Sequence, residues 1–308
     1  MQRRLDWARD GADWPHREHS EFIACDGLRW HVQRFACTAT SVLPPARCLL
    51  IHGTGSSTHS WRDVAPMLQP DFDVLAIDLP GHAFTSLPAE GISSLQLSLP
   101  GMAASLARLL STLSFAPHLV VGHSAGAAIA ARMAIDGAIT PKLLVSLNGA
   151  LLPLGGLAGR VFSPAARLMA VLPGVPRLFA WSASDVSVMQ RLLDSTGSSL
   201  DARGRQLYAR LAANPGHAEG ALGMMANWNL PAFERDLPRL HTPLALIVGS
   251  QDATVPPGDA DRVIARLSPG HSVQKMVLEG LGHLAHEEQP QRAVQAVMAA
   301  WRHVQTTA

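Results

Sequence analysis

Uninterrupted apolar runs recur along this chain, each closed by Gly, Asp or Asn: CLLIHG at 48–53, FDVLAIDLPG at 72–81, HLVVGHSAG at 118–126, LLVSLNG at 143–149, LALIVGSQD at 244–252 and VQKMVLEG at 273–280. Short runs without apolar–polar alternation read as strands buried on both faces, the condition of a parallel sheet covered by helices. Between them, Leu99 to Leu113, Ala125 to Ile135 and Asp259 to Leu267 are helix-compatible. Strand and helix therefore alternate, and the fold class is α/β: a mostly parallel central sheet with helices on both faces. Ahead of this pattern, FIACDG and LRWHVQRF fit an antiparallel hairpin turning at Asp26-Gly27 at the sheet edge.

The alternation stops between about Gly149 and Asp236, where Pro/Gly-punctuated apolar segments such as RLMAVLPGVPRLFAW and a helical pattern through ALGMMANW replace the strands. An insertion there is best placed as a lid over the carboxyl ends of the strands, where open α/β sheets bind ligands. The expected organisation is an N-terminal extension at 1–20, a core built from 21–148 and 237–308, and a helical lid at 149–236.

Composition narrows the class of partner. The 308 residues are 47% hydrophobic and 16% charged with a net charge of +1, so no overall field draws the protein to nucleic acid or an anionic surface. A small molecule is the expected partner. Three cysteines, Cys25, Cys37 and Cys48, form no metal-type pair, which fits a reducing cytoplasm. The charged start MQRRLDWARDGADWP lacks the apolar core of a secretory signal. The longest apolar tract, near Leu143 to Leu157, is interrupted by Asn148, Pro153 and glycines, so no transmembrane segment is expected.

Against this frame, Gly122-His123-Ser124-Ala125-Gly126 stands between the run HLVV and the helical stretch AAIAARMAI. G-x-S-x-G at a strand-to-helix turn thrusts a serine Oγ above the sheet, and its neighbours must be small. A serine needs a base, and the base needs an acid to hold its tautomer. Asp252 closes one later strand run and His283 follows another, in the order Ser, Asp, His. Oxyanion donors are expected from the backbone amides of Ala125, after the nucleophile, and Thr54, in the glycine-rich loop His52 to Ser57. That loop lacks a phosphate-binding pattern, and no cofactor is expected. The H-x-x-H pairs His16/His19 and His283/His286 are not H-E-x-x-H, and His283 is wanted as the base, so no metal is assigned. His123, Trp61, Phe179, Trp181, Met224, Met225, Asn227 and Trp228 are candidates to line a pocket for a hydrophobic substrate.

The blocks LLIHGTGSSTHSW, VLAIDLPGHAFTS, VVGHSAGA, GSQDATVPP and GLGHLAHEEQP, in this order, resemble the α/β-hydrolase superfamily over about residues 21 to 302. Ala83 departs from it, standing where the block after DLPGH usually has glycine. The serine nucleophile argues against haloalkane dehalogenases and epoxide hydrolases, which usually place aspartate there. WRDVAPML, GHSAGAAIAARMA, LNGALLPLGGLAG, FSPAARLMA and GALGMMANWNL further resemble the magnesium-chelatase accessory family of bacteriochlorophyll biosynthesis. That resemblance implies a phototrophic bacterium, a role near magnesium insertion into protoporphyrin IX, a tetrapyrrole among the candidate substrates and chelatase subunits among the candidate partners. Two function classes stay open. One is a serine hydrolase acting on an ester or similar bond of a hydrophobic small molecule; the other is a non-catalytic porphyrin-binding or chelatase-partner protein. The complete triad favours the first.

Overall fold

Each apolar run forms a strand that ends before the run's closing Gly, Asp or Asn. The computed structural model describes residues 4–40, 44–153, 172 and 174–307. Its strands are β1 (Ser20–Cys25), β2 (Leu28–Phe35), β3 (Ala46–Ile51), β4 (Phe72–Ile77), β5 (Leu119–His123), β6 (Leu143–Leu147), β7 (Leu244–Gly249) and β8 (Val273–Leu278). They pair in one sheet in the order β1-β2-β4-β3-β5-β6-β7-β8. The hairpin turns at Asp26-Gly27 and lies at the edge, antiparallel to β4, whereas β4 through β8 pair in parallel. β5, β6 and β7 are buried at every position, as their unbroken apolar runs require.

Successive side chains of a strand point to opposite faces, and the two cores divide accordingly. Leu49 and Ile51 of β3 join Leu75 and Ile77 of β4 under the helices Leu99–Thr112 and Ala125–Ile135. Cys48 and Leu50, one residue out of phase, join Val74, Val121 and Val145 on the other face. There they meet the C-terminal helix Pro290–Thr307 through Ala293, Val297, Ala300, Trp301 and Val304. Those positions recur at steps of three and four, an amphipathic stripe that the alternation of strand runs does not bring out.

Between β6 and β7 the described residues contain helices and no strand: Val175–Ala183, Val186–Asp194, Ala202–Ala212, Pro215–Asn227 and Leu230–Asp236. Asp185, Asp201, Asn214 and Asn229 each accept a first-turn amide at a helix N-terminus, so the polar residues between the apolar segments are capping signals. The helix Pro215–Asn227 lies directly on the loop after β4; a Cβ on Gly220 would stand 2.1 Å from the Gly81 carbonyl oxygen. The described segment ahead of β1 packs on the rest of the chain, since Trp14 clusters with Ala83, Phe84, Leu207 and Leu211. No helix among the described residues is long and apolar enough to cross a membrane.

Ala83 sits in the left-handed region at φ 42°, a conformation that is unfavourable for any residue with a Cβ. Ala83→Gly should raise stability by about 0.5–1 kcal/mol, because relief of left-handed strain outweighs the added freedom of the unfolded chain. Urea denaturation checks it; a loss of stability would mean that the methyl's packing dominates.

Candidate active site

Ser124 stands alone between β5 and the helix Ala125–Ile135 with φ 51° and ψ −117°. Such a backbone persists only when its surroundings over-determine it. Here its amide donates to Leu147 O (3.1 Å), and its carbonyl accepts from Ala127 N (3.1 Å) and Ala150 N (3.0 Å). The glycines are steric necessities: a Cβ on Gly126 would lie 2.1 Å from Ile51 O, and one on Gly122 would lie 2.5 Å from the backbone of Ala127. The helix can therefore lean on the end of β3 only because both positions lack side chains.

The turn after β7 and the loop after β8 bring Asp252 and His283 together, His283 Nδ1 lying 2.8 Å from Asp252 Oδ2. Asp252 also accepts from Asn148 Nδ2 (2.6 Å) and from the amides of Thr254 and Val255 (2.8 Å each). Burial opposes its ionisation, but the hydrogen bonds from His283, Asn148 and Val255 win and hold its pKa below the ordinary carboxylate range. An ionised Asp252 fixes the His283 proton on Nδ1 and leaves Nε2 with the lone pair that a general base requires. His123 supports this loop, donating from Nε2 to His283 O at 2.9 Å. Asn148 was not among the sequence candidates, although it closes the run LLVSLNG and has φ 48°.

The two expected oxyanion donors come from adjacent elements. Ala125 is the first residue of its helix, so its amide has no intrahelical acceptor and lies at the positive end of the helix dipole. Thr54 follows Gly53, whose backbone lies so near Ser124 that a Cβ there would be 2.9 Å from Ser124 Cβ. The inserted helices hold this loop. His217 accepts from Ala83 N at Nδ1 (2.9 Å) and donates from Nε2 to Gly55 O (3.1 Å). Ser56 Oγ meets the Tyr208 hydroxyl at 3.1 Å, which donates to Glu287 at 2.7 Å, and Arg62 closes the chain on Glu287 at 3.3 Å. These residues escaped sequence reasoning because each partner is distant along the chain and no local spacing announces the pairing.

The pocket candidates separate. Trp61, Met224 and His123 are buried, at most 2% exposed. Trp61 lies in the core beside Val64 and Leu68, Met224 receives the Thr54 hydroxyl on its sulfur at 3.5 Å, and His123 braces His283. Trp181 is 76% exposed on the outside of the insertion. Asn227 spends its amide on Ile92 O and Gly223 O. Met225 and Trp228 are half-buried. The side chain of Phe179, like the lid stretch 154–171, lies outside the described residues.

A continuous Ser-His-Asp hydrogen-bonded chain lies elsewhere, whereas among the described residues no hydrogen bond joins Ser124 to His283. His31 Nδ1 lies 2.7 Å from Asp78 Oδ2 and its Nε2 lies 3.0 Å from Ser20 Oγ. Ser20 is on the antiparallel edge strand, and its Oγ also accepts from Gln33 Nε2 (3.2 Å). Asp78 takes the amides of Thr58 and Phe84 as well, so this chain ties β2 to the loops after β3 and β4.

Comparison with known proteins agrees with this architecture. The model of the "Alpha/beta hydrolase family" matches residues 48–296. The chain is 35% identical over 278 residues to a protein named magnesium-chelatase 30 kDa subunit from Rhodobacter capsulatus, covering 88% of this chain and 94% of that one. Among solved structures it is similar to an alpha/beta hydrolase fold protein from Burkholderia ambifaria (TM-score 0.73, 20% identity, 97% of this chain and 100% of the other). It is also similar to the epoxide hydrolase CorEH (TM-score 0.74, 20% identity, 92% and 99%).

The polar groups behind the site make stability depend on pH. Burial lowers the pKa of His52, His59, His82, His123, His217 and His286 below 6.5, with His123 at about 3 and His217 at about 4. Their contribution is complete above pH 6.5 and is lost as pH falls below it, because the unfolded chain then binds protons that the native state refuses. Glu287 opposes this: burial raises its pKa to about 8, so its contribution is complete below pH 4.5 and lost as pH rises through 8. Six histidines outweigh one carboxyl, and each proton taken up on unfolding is worth about 1.4 kcal/mol per pH unit. The melting temperature should therefore fall steeply between pH 7 and 5.5; a flat profile would mean that these rings are protonated or hydrated in the native state.

Proposed function

The chain belongs to the alpha/beta hydrolase family, and from that premise we propose that it is a serine hydrolase acting on an ester or similar acyl bond of a hydrophobic small molecule, in an accessory role at the magnesium-chelatase step of bacteriochlorophyll biosynthesis. The observation that carries the chemistry is the buried Asp252–His283 hydrogen bond of 2.8 Å in a body whose nucleophile elbow presents Ser124 on a strained turn. In the proposed reaction His283 Nε2 takes the Ser124 proton while Oγ attacks the acyl carbon. The oxygen that becomes negative is received by the amides of Thr54 and Ala125. Collapse expels the alcohol, which receives the proton from His283. Water then attacks the acyl-enzyme by the same relay, restoring Ser124 and releasing the acid. Asp252 stays ionised throughout and stabilises the imidazolium.

The pathway role is supported by the likeness to a protein named a magnesium-chelatase subunit. Serine acyl chemistry does not insert a metal, so the proposed role is accessory, with a tetrapyrrole or related ester as substrate and chelatase subunits as partners. Met225 and Trp228 are the insertion residues proposed for the substrate-facing surface, and the free Cys25, Cys37 and Cys48 suit a cytoplasmic protein. The same relative's name favours a second reading, a porphyrin-binding or chelatase-partner protein that keeps the fold without using the serine.

A fluorophosphonate probe with mass-spectrometric mapping tests the chemistry. Ser124 should be labelled, Ser124→Ala should abolish the adduct, and His283→Ala or Asp252→Asn should slow it by roughly 10³–10⁴-fold. No adduct, or an adduct at Ser20, would sink the mechanism. In a phototrophic host lacking the native copy, Ser124→Ala at normal abundance should fail to restore bacteriochlorophyll. Full restoration would instead establish the binding reading.

A further inference from the structure

The H-x-x-H pair that the active site leaves unused is not a pair of idle surface rings. One ligand atom from each of His16, Glu18 and His19 lies within 4.8 Å of the other two, and His19 Nε2 is 3.8 Å from Glu18 Oε1. A tetrahedral ion with bonds of about 2.0–2.1 Å spaces its ligands roughly 3.3–3.4 Å apart, so small side-chain adjustments close the set. The carboxylate of Glu18 is 72% exposed and free to make them.

Both imidazoles are already oriented. His16 Nε2 donates to Arg62 O at 2.7 Å, and His19 Nδ1 donates to Arg34 O at 2.9 Å. Each ring therefore holds its proton on the nitrogen that faces a backbone carbonyl and keeps a lone pair on the other, the outer arrangement found around metal-bound histidines. Phe35 fixes the ring planes: His19 stacks on it at 4.4 Å and 23°, and His16 meets it edge-on at 5.3 Å and 78°. His16 also borders an open cleft of about 540 Å³ with Arg62, Asp63, Met67 and Arg203.

We propose that His16, Glu18 and His19 form a binding site for a borderline divalent transition metal such as Zn²⁺, with solvent completing the coordination. Two imidazoles and one carboxylate suit Zn²⁺, Co²⁺ or Ni²⁺, whereas Mg²⁺ requires an oxygen shell that this site does not offer. The ion ties the segment ahead of β1 to Arg34 of β2 and to Arg62 of the loop after β3, so it binds only the folded chain and stabilises it.

Calorimetry of the untagged full chain with Zn²⁺ alone tests the site, with Mg²⁺ as the comparison ion and Co²⁺ absorption as a second readout. One Zn²⁺ should bind with a micromolar Kd and raise the melting temperature, and Mg²⁺ should do neither. Glu18→Gln, at an exposed position that does not disturb folding, should weaken binding by about tenfold or more, and His19→Ala should remove it. Ser124→Ala should bind as wild type. Absence of binding by the folded protein, or binding unchanged in both Glu18→Gln and His19→Ala, overturns the proposal.

Discussion

The arrangement of the molecule rests on one steric constraint, the approach of the helix Ala125–Ile135 to the end of β3. The helix can lie there because Gly126 places no atom where Ile51 O stands, and Gly122 none where Ala127 stands. That approach forces Ser124 to φ 51°, and three backbone hydrogen bonds reaching to Leu147, Ala127 and Ala150 keep it there. The strain is therefore held by the sheet rather than by the serine side chain, which remains available for chemistry. The same approach sets the first amide of the helix beside the loop that follows β3. The strained turn at Ser124 and the position of the first helix amide thus arise from a single packing decision, made by Gly122 and Gly126.

What could be read from the chain follows from this. Strand runs, the elbow and the order of Asp252 and His283 are local signals, because burial on both faces and a tight turn each restrict the residues at the place where they occur. The partition of each strand between two cores was legible for the same reason, since Leu49 and Leu50 must face opposite ways. The burial of Trp61 and Met224 was not legible, because residues of these types are found both in cores and beside pockets. His217, Tyr208 and Glu287 carried no local signal at all. Each is defined by a partner that only the folded chain brings near, such as Gly55 for His217 and Ser56 for Tyr208. The C-terminal helix is an intermediate case, because its stripe was present in the chain but does not follow from counting strands.

The chain Ser20-His31-Asp78 shows that connectivity alone is not a catalytic argument. Its distances of 3.0 and 2.7 Å would satisfy any geometric test of a triad. Yet Ser20 occupies ordinary extended backbone on an edge strand and not the N-terminal turn of a helix, and Asp78 is occupied in joining three segments. What distinguishes Ser124 is its place at the carboxyl end of a parallel strand and at the N-terminus of a helix. The similarity to an epoxide hydrolase at 20% identity makes the same point from outside, because a shared architecture leaves the reaction open.

The inserted helices are more than a cover in this arrangement. His217 and Tyr208 belong to them, and these two side chains hold Gly55 and Ser56, the residues that follow Thr54 in the loop after β3. Under the proposed chemistry, the segment that meets the substrate therefore also sets the position of a transition-state donor. Donors act by being pre-placed where charge develops, and a displacement that leaves ground-state contacts intact still lowers the rate. Substrate selection and rate are then coupled through the backbone of one loop.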